Sequence, residues 1–93
     1  MLKSNSYFDN CVKSIALDNR DGNSTVGVMD IGDYEFGTST VEYMTVISGE
    51  LIVLLPGESE WKTYGKGETF IVAKDSKFKL QVKEQTAYHC LYK

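Results

Sequence analysis

Polar and apolar residues alternate without a break from Lys77 to Lys83. This puts Phe78, Leu80 and Val82 on one face of an extended segment and Lys77, Lys79, Gln81 and Lys83 on the other. One face is packed and the other wet. Similar short runs, rich in β-branched and aromatic residues, span Thr25 to Met29, Tyr34 to Phe36, Glu42 to Ser48, Leu51 to Leu55, Glu68 to Val72 and Ala87 to Tyr92, and read as strands. Turn signals separate them at Asp21-Gly22-Asn23, Ile31-Gly32-Asp33, Ser48-Gly49-Glu50, Pro56-Gly57 and Gly65-Lys66-Gly67. A helical stripe is absent except over Ser6 to Lys13, which is too short to set the fold class. The pattern predicts an all-β chain of about seven to nine strands. An open sheet of that size leaves an apolar face uncovered, so closure into a barrel or a two-sheet jelly roll is expected.

Length adds a bound: 93 residues allow one domain over residues 1–93 and no second core of useful size. Apolar residues make up 42% and charged residues 25%, the composition of a folded globular chain. So small a core gains from pairing two copies through an outer sheet face or an edge strand, and a homodimer is expected. Ten Lys and Arg against thirteen Asp and Glu give a net charge of −3, with Arg20 the only guanidinium. No basic stripe exists to release counterions from phosphates, so nucleic acid is not an expected partner. The longest apolar run, Leu51 to Leu55, falls far below the roughly 20 residues of a membrane-crossing helix. No membrane partner is expected. The first residues show no apolar stretch of the signal-peptide kind, which makes the cytoplasm the expected compartment. Cys11 and Cys90 form no Cys-x-x-Cys pair and are expected to be buried, inert thiols.

The stretch Glu42 to Val53 resembles the first conserved block of the cupin superfamily, in which a Glu is followed by six residues and a Gly; Glu42 and Gly49 keep that spacing. Gly67 to Ala73 resembles the opening of the second block. The resemblance implies a cupin-like jelly-roll β-barrel. The departures are informative, because the positions of the cupin metal-binding histidines fall on Phe36 and Thr38, or Glu35 and Gly37, and on Phe78. Glu42 is left alone. The single His of the chain, His89, faces away from Tyr88, Cys90 and Tyr92 by strand parity. First-row metals in such a barrel want several His ligands, so no bound catalytic metal is expected.

At finer grain the chain resembles the cupin-like pyrimidine/purine nucleoside phosphorylases nearly end to end. The residues that carry the likeness are Met1-Leu2-Lys3-Ser4-Asn5, Val12 to Ile15, Ser24 to Met29, Met44 to Gly49, Val53 to Pro56, Trp61 with Tyr64, Ser76 to Phe78, and Tyr88 with Cys90 and Tyr92. The resemblance implies reversible phosphorolysis of purine and pyrimidine nucleosides to free base and pentose 1-phosphate. Inorganic phosphate is then the co-substrate, and no cofactor is needed. A non-catalytic cupin-like sensor that holds a small ligand in the same pocket is the alternative.

Breaking a glycosidic C–N bond builds positive charge on the sugar and negative charge on the departing base, and both need stabilising. The block alignment turns Phe36, Thr38, Glu42, Met44, Phe70, Phe78 and Leu80 toward the interior, with Tyr88, Cys90 and Tyr92 on one face of the last strand. Glu42 is the candidate catalytic carboxylate, bonding ribose hydroxyls or supporting charge at the anomeric carbon; its alternative is a carboxylate satisfied by neighbouring backbone or Tyr groups. Phe36, Phe78 and Tyr88 are candidates to sandwich a flat base, against the alternative of core packing. Met44 and Tyr92 complete the candidate substrate lining, with Tyr92, like Tyr34, open to a surface role. For phosphate the candidates are Arg20, in the polar stretch Asp18 to Asn23, and the hydroxyls of Thr38, Ser39 and Thr40. Lys77 and Lys79 lie on a polar strand face and are expected to stay in solvent. Trp61 is as open to covering the barrel end or a dimer contact as to touching substrate, and is not taken as a site residue.

Overall fold

The computed structural model describes residues 1–93 as ten antiparallel strands without a helix. They are β1 (Lys3–Tyr7), β2 (Val12–Asn19), β3 (Gly22–Met29), β4 (Gly32–Gly37), β5 (Glu42–Ser48), β6 (Glu50–Leu54), β7 (Lys62–Gly65), β8 (Thr69–Val72), β9 (Lys77–Val82) and β10 (Thr86–Tyr92). Strands β1-β2-β3-β10-β5-β8 form a six-stranded sheet, and β4-β9-β6-β7 a four-stranded one. The inner faces of both sheets supply one core cluster that includes Met29, Val46, Leu51, Val53, Val72, Phe78, Leu80 and Cys90.

The alternation from Lys77 to Val82 survives intact: Phe78, Leu80 and Val82 are buried, whereas Lys77 and Lys79 are exposed. Ser6 to Lys13 is not a helix. It forms the end of β1, a four-residue turn and the start of β2, with Tyr7 paired to Val12. Three successive turn residues take left-handed backbone angles, Phe8 at φ 53°, Asp9 at 54° and Asn10 at 70°. Such angles are unfavourable for Phe, and its ring packs edge-on against Phe36 at 5.3 Å and beside Tyr34 at 5.1 Å. The strand count also exceeds the expected range. The additions are β1, β2 and β7; β1 and β7 are edge strands of polar sequence whose residues are mostly exposed.

The chain crosses from the six-stranded sheet to the four-stranded one between β5 and β6, at Gly49. Its φ is +95°, and a Cβ there would stand 2.5 Å from Oγ1 of Thr86. Thr86, fully buried, accepts from the N–H of Glu50 at 3.2 Å and lies 3.0 Å from the Glu50 carbonyl oxygen and 2.9 Å from that of Glu84. The Glu42-to-Gly49 spacing thus spans one strand and the corner that ends it.

The outer face of the six-stranded sheet is unusually apolar. Ile15, Val26, Val28, Ile47 and Ile71 are all exposed there. The register aligns Ile15 with Val26, Val26 with His89, His89 with Thr45 and Thr45 with Thr69 across five strands.

Candidate active site

A cavity of about 170 Å³ opens between the two sheets. The six-stranded sheet contributes Tyr7, Ser14, Met29, Glu42, Met44, Tyr88, Cys90 and Tyr92; the other sheet contributes Phe36, Gly37 and Phe78. Strand parity explains the selection, since Glu42 and Met44 are two residues apart, as are Tyr88, Cys90 and Tyr92. Register then places Glu42 directly opposite Tyr92 and Met44 opposite Cys90. A β-bulge helps: Ala87 pairs with Ser48 but Tyr88 with Val46, so β5 has one extra residue there, and both Tyr88 and Val46 are buried.

The cavity is chemically divided. Its six-stranded wall bears a carboxyl, a thiol, three phenols and a hydroxyl. Its other wall is two flat rings and a glycine. Phe36 and Phe78 face one another across the β4–β9 ladder, with centroids 5.8 Å apart and planes 27° from parallel. A base lying between two rings needs about 7 Å, twice the carbon contact distance. These two rings are therefore closed against each other, and the stacking surface they offer is a side of the pair. They belong to a longer run of rings in which Phe78 meets Phe70 at 6.3 Å and Phe70 meets Tyr64 at 4.9 Å.

Glu42 is the only carboxylate lining the cavity, and no Lys, Arg or His joins it. Burial pushes its carboxyl above the usual carboxylate range, and a contact with Cys90, Sγ to Oε1 at 3.5 Å, acts in the opposite direction. Burial raises Tyr88 to about 12, with the charges of Cys90, Tyr7 and Glu42 adding to it and a Ser14 contact opposing. Burial likewise lifts Cys90 and Tyr92, and for both the negative charge of Glu42 adds to the rise. At neutral pH the thiol and these phenols are therefore neutral groups with protons to donate, gathered round one carboxylate. Tyr92 OH also lies 3.0 Å from Thr25 Oγ1. Such a site can support positive charge beside Glu42 and bond sugar hydroxyls, with a ring surface across the gap. No three His, Cys, Asp or Glu side chains converge anywhere in the chain.

Of the residues singled out in the sequence, Glu42, Phe36, Met44, Phe78, Tyr88 and Tyr92 come together at the cavity. Thr38, Ser39 and Arg20 do not. Thr38 is buried with its hydroxyl committed to the fold, donating to the Ala73 carbonyl at 2.7 Å and accepting from the Ser76 N–H at 3.0 Å. Ser39 is exposed in the β4–β5 connection. Arg20 sits exposed in a two-residue turn, because Asn19 pairs directly with Gly22 and no longer loop exists there. Tyr34 is buried, its hydroxyl donating to the Asp30 carbonyl at 2.7 Å. Trp61 is exposed, and His89 is half-buried. Of the thiols, Cys90 is buried and Cys11 only half so.

Tyr7, Ser14, Met29, Gly37 and Cys90 also line the cavity and were not among the sequence candidates. Tyr7 lies on a strand that carries no apolar alternation, and Ser14 is a polar residue in an inward position, so neither leaves a periodic signal. Cys90 shares its face with Tyr88 and Tyr92, and that parity was the available clue.

The pattern of the pyrimidine/purine nucleoside phosphorylase family matches residues 2–92. A curated pyrimidine/purine nucleoside phosphorylase of Pseudomonas aeruginosa is 53% identical over 93 residues, covering 100% of each chain. The crystal structure of a protein of unknown function from Vibrio parahaemolyticus is similar at TM-score 0.94 and 48% identity, over 97% of this chain and 96% of that one. An RmlC-like cupin from Shewanella frigidimarina is similar at TM-score 0.73 and 17% identity, over 91% of this chain and 78% of that one. The last likeness concerns the fold alone, which is cupin-like.

Proposed function

Because the chain belongs to the pyrimidine/purine nucleoside phosphorylase family, we propose that it cleaves purine and pyrimidine nucleosides with inorganic phosphate at the cavity between its sheets. In this pentosyl transfer a phosphate oxygen forms a bond to the anomeric carbon. The C–N bond breaks with its electron pair, which leaves on the base nitrogen and is neutralised there by the proton that the attacking phosphate gives up. The products are the free base and pentose 1-phosphate.

The observation that carries the assignment of the site is the lone carboxylate in a cavity otherwise lined by neutral groups. Ionised Glu42 faces the pentose, accepts a bond from its hydroxyls and offsets the positive charge that develops near the anomeric carbon. Tyr7, Tyr88 and Tyr92 supply hydroxyls on the same wall. The paired rings of Phe36 and Phe78 offer a flat apolar face, which accepts any base because every base has a π-face. A volume of about 170 Å³ lies below the roughly 300–1,000 Å³ of most small-molecule sites, so part of the substrate stays at the mouth.

Phosphate is assigned to that mouth. The cavity lining offers it no cation, whereas the β4–β5 connection follows directly on the lining residue Gly37 and carries Ser39 and Thr40. Thr40 Oγ1 has no hydrogen-bond partner within the protein, so its donor is not committed to the fold. No metal or organic cofactor enters this scheme. The working form is a homodimer joined through the apolar outer face of the six-stranded sheet, and the compartment is the cytoplasm.

Uridine or adenosine incubated with the protein, with and without phosphate, tests the reading by release of free base. Release that depends on phosphate is the expected result. Release without it means hydrolysis, and binding with no release favours a sensor.

A further inference from the structure

Cys90 is the only thiol in the cavity wall, where it is 2% exposed, and the reaction above leaves it unused. It stands on β10 two residues before Tyr92, the residue directly opposite Glu42. Its Sγ is 3.5 Å from Oε1 of Glu42, within reach of an S–H···O hydrogen bond, and this is the only hydrogen bond of that carboxyl within the protein. Oε2 is left free for a ligand. We propose that Cys90 is a positioning residue for Glu42, its thiol donating to Oε1 and holding the carboxyl ionised and turned into the cavity.

Uncharged groups surround the Glu42 carboxylate. Val72 is its partner on β8, and the four-stranded wall presents only Phe36, Gly37 and Phe78. The titratable groups that face it are Cys90, Tyr88 and Tyr92 from β10 and Tyr7 from β1; none is a cation. A half-buried carboxylate with no positive neighbour tends to take up a proton, and it then cannot support a developing oxocarbenium ion. Donation from Cys90 is the one contact that favours the ionised form. The thiol suits the task because burial holds its own proton in place well beyond neutral pH.

The experiment uses Cys90→Val, nearly the same size without a donor, Cys90→Ala, and Cys90→Ser, which keeps a donor. The Glu42 carboxyl is titrated by ¹³C NMR in glutamate-labelled protein, its resonance assigned by its loss in Glu42→Gln. With Cys90→Val or Cys90→Ala the carboxyl titrates about one pH unit higher, the size of one lost hydrogen bond to the ionised form, and Cys90→Ser restores it. In phosphorolysis assays the acid limb of kcat/KM moves with it. At pH values below that limb the loss is about tenfold, and it closes above it, whereas a packing defect would lower the rate equally at every pH. Unchanged carboxyl titration in both donor-less variants overturns the inference, whichever of the two folds better. The catalytic part rests on the function proposed above, and full activity in Glu42→Gln would remove that part while the carboxyl titration still decides the contact.

Discussion

Gly27 lies directly opposite Tyr88 in the β3–β10 ladder, and the phenol ring fills the space that a side chain at position 27 would occupy. A Cβ there would stand 2.7 Å from Cζ and the hydroxyl of Tyr88 and 2.7 Å from the Lys13 carbonyl oxygen. The backbone oxygen cannot move aside cheaply, so the absence of a side chain is what lets the ring lie flat along the cavity wall. Gly27→Ala is expected to lower stability by about 1–3 kcal/mol, the usual cost of overpacking. The denaturant midpoint should fall at unchanged slope, and KM for uridine should rise because the displaced ring narrows the cavity.

Glu42→Gln removes the cavity charge without changing its shape. Phosphorolysis should slow by about 10²-fold or more, as for loss of one electrostatic stabiliser. Stability should change in the other direction. The folded protein holds this carboxyl above its usual value, so ionisation costs stability as pH rises from the unfolded value through the folded one. Below that window Glu42 is protonated in both states and the cost is absent. The variant should therefore melt higher than the parent at neutral pH, with the difference shrinking toward pH 4, as followed by thermal unfolding across a pH series.

The two stacked rings should separate by burial. Phe78 is buried in the core at 2% exposure, and Phe78→Ala is expected to cost about 3–5 kcal/mol and so threaten folding itself. Phe36 is half-buried at the cavity, and Phe36→Ala should cost less than half of that while raising KM for purine and pyrimidine nucleosides alike. Equilibrium unfolding and steady-state kinetics on the pair of variants test this; equal stability losses would contradict it.

For the outer sheet face, sedimentation equilibrium should report twice the chain mass for the parent protein. Val26→Lys places a charge in the middle of the row formed by Ile15, Val26 and His89, and burying an unpaired ammonium is costly. That variant should sediment as a monomer. A parent protein that is already monomeric would refute the dimer.

Much of the fold was legible because a strand's side-chain period is local. Lys77 to Val82 states its two faces residue by residue, and Glu42 with Met44, like Tyr88 with Cys90 and Tyr92, announces a shared face within its own strand in the same way. The signal failed where no apolar face was required. In β1, Lys3–Tyr7, four of five residues are exposed on a sheet edge, so nothing in the segment had to alternate. The span Ser6 to Lys13, the one stretch with a helical stripe, instead holds a hairpin turn in which Phe8, Asp9 and Asn10 take left-handed backbone angles.

The likeness to a family brought in the reaction and, through its block spacing, Glu42, whereas residue parity grouped Tyr88, Cys90 and Tyr92 on one face of β10. Tertiary structure alone decided that Cys90 Sγ meets Glu42 Oε1 across 48 residues of chain, that Phe36 closes on Phe78, and that Arg20 lies outside the cavity. Parity depends only on a residue and its immediate neighbours, so a sequence carries it openly. Distance across a ladder depends on register, on a bulge at Ala87 and Tyr88, and on how two sheets close over one core, and those are settled only when all ten strands have packed.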